Sequence, residues 1–511
     1  MPPPEHRLRP PRGRALPALL QRLGLALLGA LIVLLAVMAW RTWRLAAAQT
    51  PVAARAGVAV DADGAARRLS QAVQLQTVST PQDTHAAAFE ALHQHLQASF
   101  PALHARLSRQ TFGRHALLYT WPGSDPKAQP IALLAHQDVV PVAPGTEATW
   151  THPPYSGAIA DGHIWGRGAW DDKGSLMAIF EAVELLVRSG FAPRQTVYLA
   201  LGADEELGGE EGARLIAQHL RQQGVKLRFV LDEGLLITHG MVPGVSGPVA
   251  LVGVAEKGYM TLKLTTKGQA GHTSMPPPRS TVGVLGEAVA RVEAHPMPPR
   301  LEGVPQQMLE AVAPRMSLLP RVLMSNLWLT GPLVRSQLEA SNSANAMLRS
   351  TLVATVFKAG ERENVLPGVA TAWVNSRLLP GDSSQRVEQH VREVLQGLDV
   401  SVDAEPQRVE ASAISRSSGG DFALIERSLR ELQPEVAVAP GLLVGGTDSR
   451  HFDGVAEQVY RFSPVHAASG DMSRFHGSNE RIAVSNLVQM VQFYERLLRL
   501  ASEGPERPER P

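Results

Sequence analysis

Four short stretches carry side chains that could do chemistry together. His136 and Asp138 interrupt the hydrophobic run "LLAHQDVVPV" (133–142), and Asp171 and Asp172 stand side by side in "GRGAWDDKG" (166–174). Asp204, Glu205 and Glu206 close the apolar run "LALGADEELGG" (199–209), and Asp232 and Glu233 close "FVLDEG" (229–234). On a strand, residues i and i+2 share a face, so His136 and Asp138 are expected to point the same way. Neighbouring acids at the end of a buried strand repel one another and lose hydration unless a cation sits among them. Oxygen ligands joined by a histidine suit Zn, Mn or Co. A second, distant histidine is needed, and His476 of "RFHGSNERI" (474–482) is a candidate among seventeen histidines. Taken singly, each feature has a plainer reading: a structural histidine, a helix-capping acid, a solvated charge. Three hydrophobic strands that all deliver acids at their carboxyl ends point to a cation.

Something must hold these ends together. "PIALLAHQDVV", "TVYLALGADEE" and "LRFVLDEG" read as strands, with helices at 174–190 and in "EEGARLIAQHLRQQG" between them. This β-α-β-α-β rhythm predicts a largely parallel sheet covered by helices, whose strand carboxyl ends are where such sheets place ligands. After residue 256 the pattern changes. "YMTLKLTTKGQ" alternates, a helix is expected near 281–294, and strand, helix and strand follow through "NVLPGVATAWVNSRLLPG", "SSQRVEQHVREVLQGL" and "DVSVDAE". That is a smaller α+β unit inserted in the first, which resumes near 413 and ends in "VSNLVQMVQFYERLLRLAS". Within the insert, "PRMSLLPRVLMSNLWLTGPLV" (314–334) is unusually apolar. It reads as the insert's own core or a dimer interface, or else as a wall for fatty-acyl or bulky apolar groups.

The 511 residues exceed one ordinary core, and a net charge of +1 without a basic stripe argues against nucleic acid. The absence of cysteine excludes disulfides, thiolate catalysis and cysteine zinc sites. No G-x-S-x-G of a serine hydrolase and no G-x-G-x-x-G of a dehydrogenase occurs. Leu23 to Trp40 is uncharged and about long enough to cross a bilayer, preceded by Arg7, Arg9, Arg12, Arg14 and Arg22. This predicts a single-pass signal anchor with its N-terminus in the cytoplasm and the body outside, periplasmic in a bacterium. A cleaved signal peptide competes, through the small residues of "LAAAQ" at 45–49.

Eight motifs in order, "LLAHQDVVPV", "WGRGAWDDKG", "LGADEELGG", "FVLDEG", "AGHTSMP", "NVLPG", "GGTDSRHF" and "FHGSNERI", resemble those of the aminoacylase/carboxypeptidase S family of dinuclear zinc peptidases, over about 65–500. They look most like the branch of carboxypeptidase S and the N-fatty-acyl-amino-acid hydrolase/synthases. The resemblance implies a zinc-peptidase α/β domain at 66–256 and 413–501, and a ferredoxin-like lid, also a possible dimerisation surface, at 257–412. A basic head (1–22), the anchor (23–40), a linker (41–65) and a disordered tail (502–511) would complete the chain. It implies two zinc ions, with Co or Mn as substitutes, held by His136, Glu206, Asp232, His476 and a bridging Asp171, with Glu233 as the alternative to Asp232. Asp138 would orient His136, and Glu205 would be the general base. His272 would face the scissile carbonyl, and Asn364, Arg377 and Arg450 would bind a peptide or N-acyl amino acid. Net amide synthesis at the same site and a non-catalytic binding protein are the alternatives.

Overall fold

The computed structural model describes residues 15–47, 52–81, 85–245 and 247–503. The first fourteen residues of the expected head, residues 48–51 of the linker and 504–511 of the tail lie outside the described residues.

The main sheet is assembled from β1 (Ser108–Phe112), β2 (Ala116–Trp121), β3 (Ile131–His136), β4 (Val197–Gly202), β5 (Val230–His239) and β6 (Pro248–Glu256). After the insert come β11 (Ala437–Leu443) and β12 (Val459–Ala468), and the spatial order is β1-β2-β4-β3-β5-β12-β6-β11. The sheet is mixed, not largely parallel. β4, β3, β5 and β12 run parallel, and so do β6 and β11, but β1 and β2 form an antiparallel hairpin that pairs antiparallel with β4, and β12 meets β6 antiparallel. Every residue of β3 is buried, as expected for a strand covered on both faces. Helix α4 (Lys173–Arg188) lies against α12 (Val484–Glu503) on one face, with α2 (Ala62–Gln74) beside both. On the other face α5 (Ala213–Gln222) and Phe89 of α3 (Ala86–Ser99) close a second cluster.

The smaller unit has its own sheet: β7 (Gly258–Lys267), β8 (Thr351–Ala359), β9 (Val369–Leu378) and β10 (Ser401–Ala404), in the antiparallel order β8-β9-β7-β10. With α6 (Thr281–Ala294) and α10 (Ser384–Val394) it forms a β-α-β-β-α-β unit of ferredoxin-like connectivity. The alternation of β7 is realised as strictly alternating buried and half-buried side chains, and Met260, Leu262 and Leu264 enter a core of that unit alone.

Not every helix within 257–412 packs on the small sheet. Helices α7 (Val304–Val312), α8 (Leu318–Ser325) and α9 (Leu327–Glu339) leave the small sheet and pack on the edge of the large one. Met308, Leu309, Val312, Leu327 and Val334 share a cluster with Val249, Ala437 and Ala439. The apolar stretch 314–334 is therefore not the small unit's core. At the N-terminus, α1 (Ala15–Ala47) extends both ways beyond the expected span. Leu20–Leu45 is long and apolar enough to cross a membrane by length and composition.

Candidate metal centre

β3 stops at His136, and Asp138 lies beyond it in the following loop, so the pair is not carried on one strand face. They meet all the same. His136 Nδ1 is 3.0 Å from the Asp138 carbonyl oxygen and 3.4 Å from its carboxylate. The Asp138 carboxylate also accepts the backbone N–H groups of Glu205 and Glu206, at 3.2 Å each. One buried aspartate thus fixes both the imidazole of β3 and the acidic turn after β4.

Asp171 precedes α4, and its carboxylate lies between two histidines. His136 Nε2 is 2.9 Å from Oδ1 and His476 Nε2 is 2.8 Å from Oδ2. Glu233 Oε1 is 3.5 Å from His136 Nε2, and Glu206 Oε1 is 3.4 Å from His476 Nε2. Two overlapping groups of three donors result, His136 with Glu205 and Glu233, and His136 with Asp171 and Glu206.

Of the two acids in "DEG", the one facing His136 is Glu233. The register between β5 and β12 passes from Asp232 opposite Arg461 to Leu235 opposite Phe462, so Glu233 and Gly234 bulge out of the ladder. Gly234 has φ +142, and a Cβ there would lie 2.9 Å from the Arg461 Cβ. Such bulges re-aim side chains. Asp232 instead accepts the N–H of Ser449 at 2.8 Å and of Glu233 at 2.9 Å.

The charges around this centre are those of a cation site. Burial, reinforced by neighbouring acids, pushes Glu205 and Glu233 well above the usual carboxylate range. Burial would also raise Asp171, but hydrogen bonds from His136 and His476 hold it below that range. Burial opposes a charge on His136, yet Glu233, Asp138 and Asp171 hold its pKa well above the ordinary value. The hydrogen bond to Asp171 and the neighbouring Glu206 carboxylate lift His476 to about 10. Glu206 Oε1 is buried without a hydrogen-bond partner, and so are both oxygens of Asp448. Oxygen donors, two imidazoles and an orphaned carboxylate oxygen fit hard or borderline divalent ions.

A cavity of about 510 Å³ opens over these residues. Asp171, Glu205, Glu206, Glu233 and His476 line it, together with the apolar Leu235, Leu236, Met241, Leu251, Leu443 and Phe475. Arg377 of β9 lines it, with its guanidinium 5.2 Å from the Tyr259 ring centre. Arg450 donates to the Thr447 carbonyl at 2.8 Å and lies 3.8 Å from Glu205 Oε1. His272 and Asn364 are elsewhere. Both are exposed on the small unit, where the Thr273 hydroxyl donates to the Asn364 carbonyl, and neither lines the cavity.

Sequence reasoning passed over Arg167, Asp448 and Glu480. Each lies inside a quoted motif, but Arg167 and Glu480 find their partners in each other, far apart in sequence, and the buried Asp448 carboxylate gives no local signal. Residues 132–500 match peptidase family M20/M25/M40. The chain belongs to peptidase family M20. This makes it a metallopeptidase by family, with an M20 α/β fold. It is 37% identical over 440 residues to a probable carboxypeptidase S-like protein of Dictyostelium discoideum, covering 85% of this chain and 84% of the relative. It is 38% identical over 484 residues to the N-fatty-acyl-amino acid synthase/hydrolase PM20D1 of Xenopus tropicalis, covering 93% and 94%. Among solved structures, an M20 metallo-carboxypeptidase of Sulfolobus solfataricus superposes with a TM-score of 0.63 at 19% identity, over 86% of this chain and 99% of that one.

Proposed function

We propose that this M20 chain hydrolyses the amide bond between an apolar acyl group and an amino acid whose carboxylate is free. The observation that carries this reading is the cavity, which is lined together by the acid–histidine centre, by a largely apolar set of side chains and by Arg377.

His136 and Glu233 would hold one zinc ion and Glu206 and His476 the other, with Asp171 shared between them. Asp232, expected as a ligand, would act from behind by fixing the Ser449 and Glu233 backbone. Cobalt or manganese would substitute. When bound, two such ions would supply Lewis acidity for the attack on the amide carbonyl. Glu205 would take a proton from the attacking water and pass it to the departing amine. Arg377 receives the free carboxylate, for which the planar guanidinium suits better than an ammonium. Arg450 stands near enough to Glu205 to favour its ionised form or to assist at the carboxylate. The same residues run in reverse would join an amine and an acid, so net synthesis is a matter of concentrations.

Helix α1 would anchor the enzyme with its N-terminus in the cytoplasm and the cavity outside. The small unit would serve as a lid and, in a homodimer, as the subunit contact. His272 and Asn364 would then reach a site only through movement of the lid or from a second copy.

A panel of N-acyl amino acids of increasing chain length, beside apolar dipeptides, tests the reading with zinc added. Turnover rising with acyl length supports it. Preference for dipeptides would make the enzyme a carboxypeptidase, and no turnover by zinc-loaded protein would make it a binding protein.

A further inference from the structure

The end of α1 is held by the junction of α8 and α9. Asn326, fully buried at that junction, donates to the Met38 carbonyl and to the Thr42 hydroxyl, both at 3.3 Å. Arg41 Nε donates to the Ser325 carbonyl at 3.4 Å. Leu34, Met38, Arg41, Thr42 and Leu45 are the positions from Leu20 to Leu45 that are not exposed, and their spacing puts them on one helix face. Residues 20–33 of α1 are exposed all round.

The two helices that grip this end have an apolar surface of their own. Leu318 and Leu319 are 73% and 71% exposed, Trp328 53%, Leu329 44% and Leu333 54%. Five large apolar side chains in sixteen residues are far from the scattered singles of an ordinary soluble surface. Nearby, Trp40 and Trp43 of α1 are exposed and alternate with Arg41 and Arg44. Indole rings beside arginines suit the headgroup level, where one end of a side chain is wet and the other greasy. The inner side of α8 has a different neighbour. Leu323 and Met324 pack in the cluster that includes Val242, Val245 and Leu251, and Leu251 also lines the catalytic cavity.

We propose that α8 and α9 are a second membrane contact: they lie in the acyl–headgroup boundary of the leaflet that α1 enters, and set the cavity beside the bilayer. The occupant of this surface is phospholipid, because the patch is attached to the end of the one described helix long and apolar enough to cross a membrane. Interfacial helices of this kind bury an apolar face at the level of the headgroups. The inference rests on α1 being a membrane anchor.

The chain has no cysteine, so single labels can be placed without background. Nitroxides at Leu319→Cys and Leu329→Cys, in full-length protein in phosphatidylcholine–phosphatidylglycerol vesicles, would be compared for collisions with oxygen and with a water-soluble nickel chelate. Val33→Cys in α1 and Lys127→Cys on an exposed loop are the lipid and water references. The proposal expects residues 319 and 329 to favour oxygen over nickel severalfold relative to 127, approaching 33. If 33 reads as lipid while 319 and 329 read as water, the anchor stands and the second contact is overturned. If 33 itself reads as water, the anchor fails and the second contact with it.

Discussion

Arg167 and Glu480, 313 positions apart, form a buried ion pair at 2.5 Å that fastens together two loops of the candidate metal centre. The second oxygen of Glu480 accepts the backbone N–H groups of Gly168, Trp170 and Asp171. Arg167 donates its other nitrogen to the carbonyls of His476 and Gly477. Asp171 and His476 are therefore set by the same pair, and neither Arg167 nor Glu480 touches the cavity.

Glu480→Gln should weaken zinc binding about 10–100-fold, the usual cost of losing a group that orients ligands. Equilibrium dialysis against zinc measures it. Wild-type affinity in the folded variant would mean that the loops hold their shape without the pair.

The bulge at Gly234 separates the roles of the two acids in "DEG". Glu233→Gln should lower zinc stoichiometry with little effect on the stability of the metal-free protein. Asp232→Asn should cost about 1–3 kcal/mol of stability, because two backbone donors lose a charged acceptor. Metal analysis and urea unfolding of both variants decide it. The reverse pattern would return Asp232 to the ligand set.

His466 gives the metal-free protein a pH dependence. Burial, with the charge of His239 adding to it, lowers its pKa to about 4, and its Nε2 is buried without a hydrogen-bond partner. In the unfolded chain it titrates near the ordinary value of 6.5, so between about 4 and 6.5 the unfolded chain binds more protons than the native state. This contribution is complete above pH 6.5 and lost as pH falls through that window. His466→Gln should narrow the difference in Tm between about pH 5 and pH 7. An unchanged difference would assign the acid sensitivity to other groups.

His272 is exposed and outside the cavity, so its role calls for a second chain or a moving lid. His272→Ala should lower kcat about 10²–10³-fold if the ring donates to the developing oxyanion. Mixing it with Glu205→Gln should then restore some activity through mixed dimers. No recovery despite subunit exchange would confine His272 to its own chain or leave it without a role.

Much of this was legible in the chain because apolar runs ending in acids are a local signal. Periodicity alone predicts the strands that end near His136 and Gly202 and the alternation of β7. Four features had no local signature. The antiparallel edge formed by β1 and β2 depends on pairing with β4, which no strand encodes by itself. The aim of Glu233 depends on a bulge, which breaks the two-residue alternation used to assign faces. The helices within 300–348 pack on the large sheet although the chain enters and leaves them from the small one, so position in sequence does not tell which sheet they cover. Arg167 and Glu480 become partners only when the loops before α4 and α12 meet.

Zinc content and turnover of wild type and Glu205→Gln, measured side by side on an N-lauroyl amino acid, test the proposed chemistry most directly. Glu205 is read as moving a proton without being needed to hold metal. Both proteins should carry about two zinc ions per chain, and the variant should turn over about 10³-fold more slowly, within the range for a lost general base. Loss of zinc from Glu205→Gln, with zinc retained in Glu206→Gln, would reverse the two glutamates. Full activity in zinc-loaded Glu205→Gln would contradict the mechanism outright.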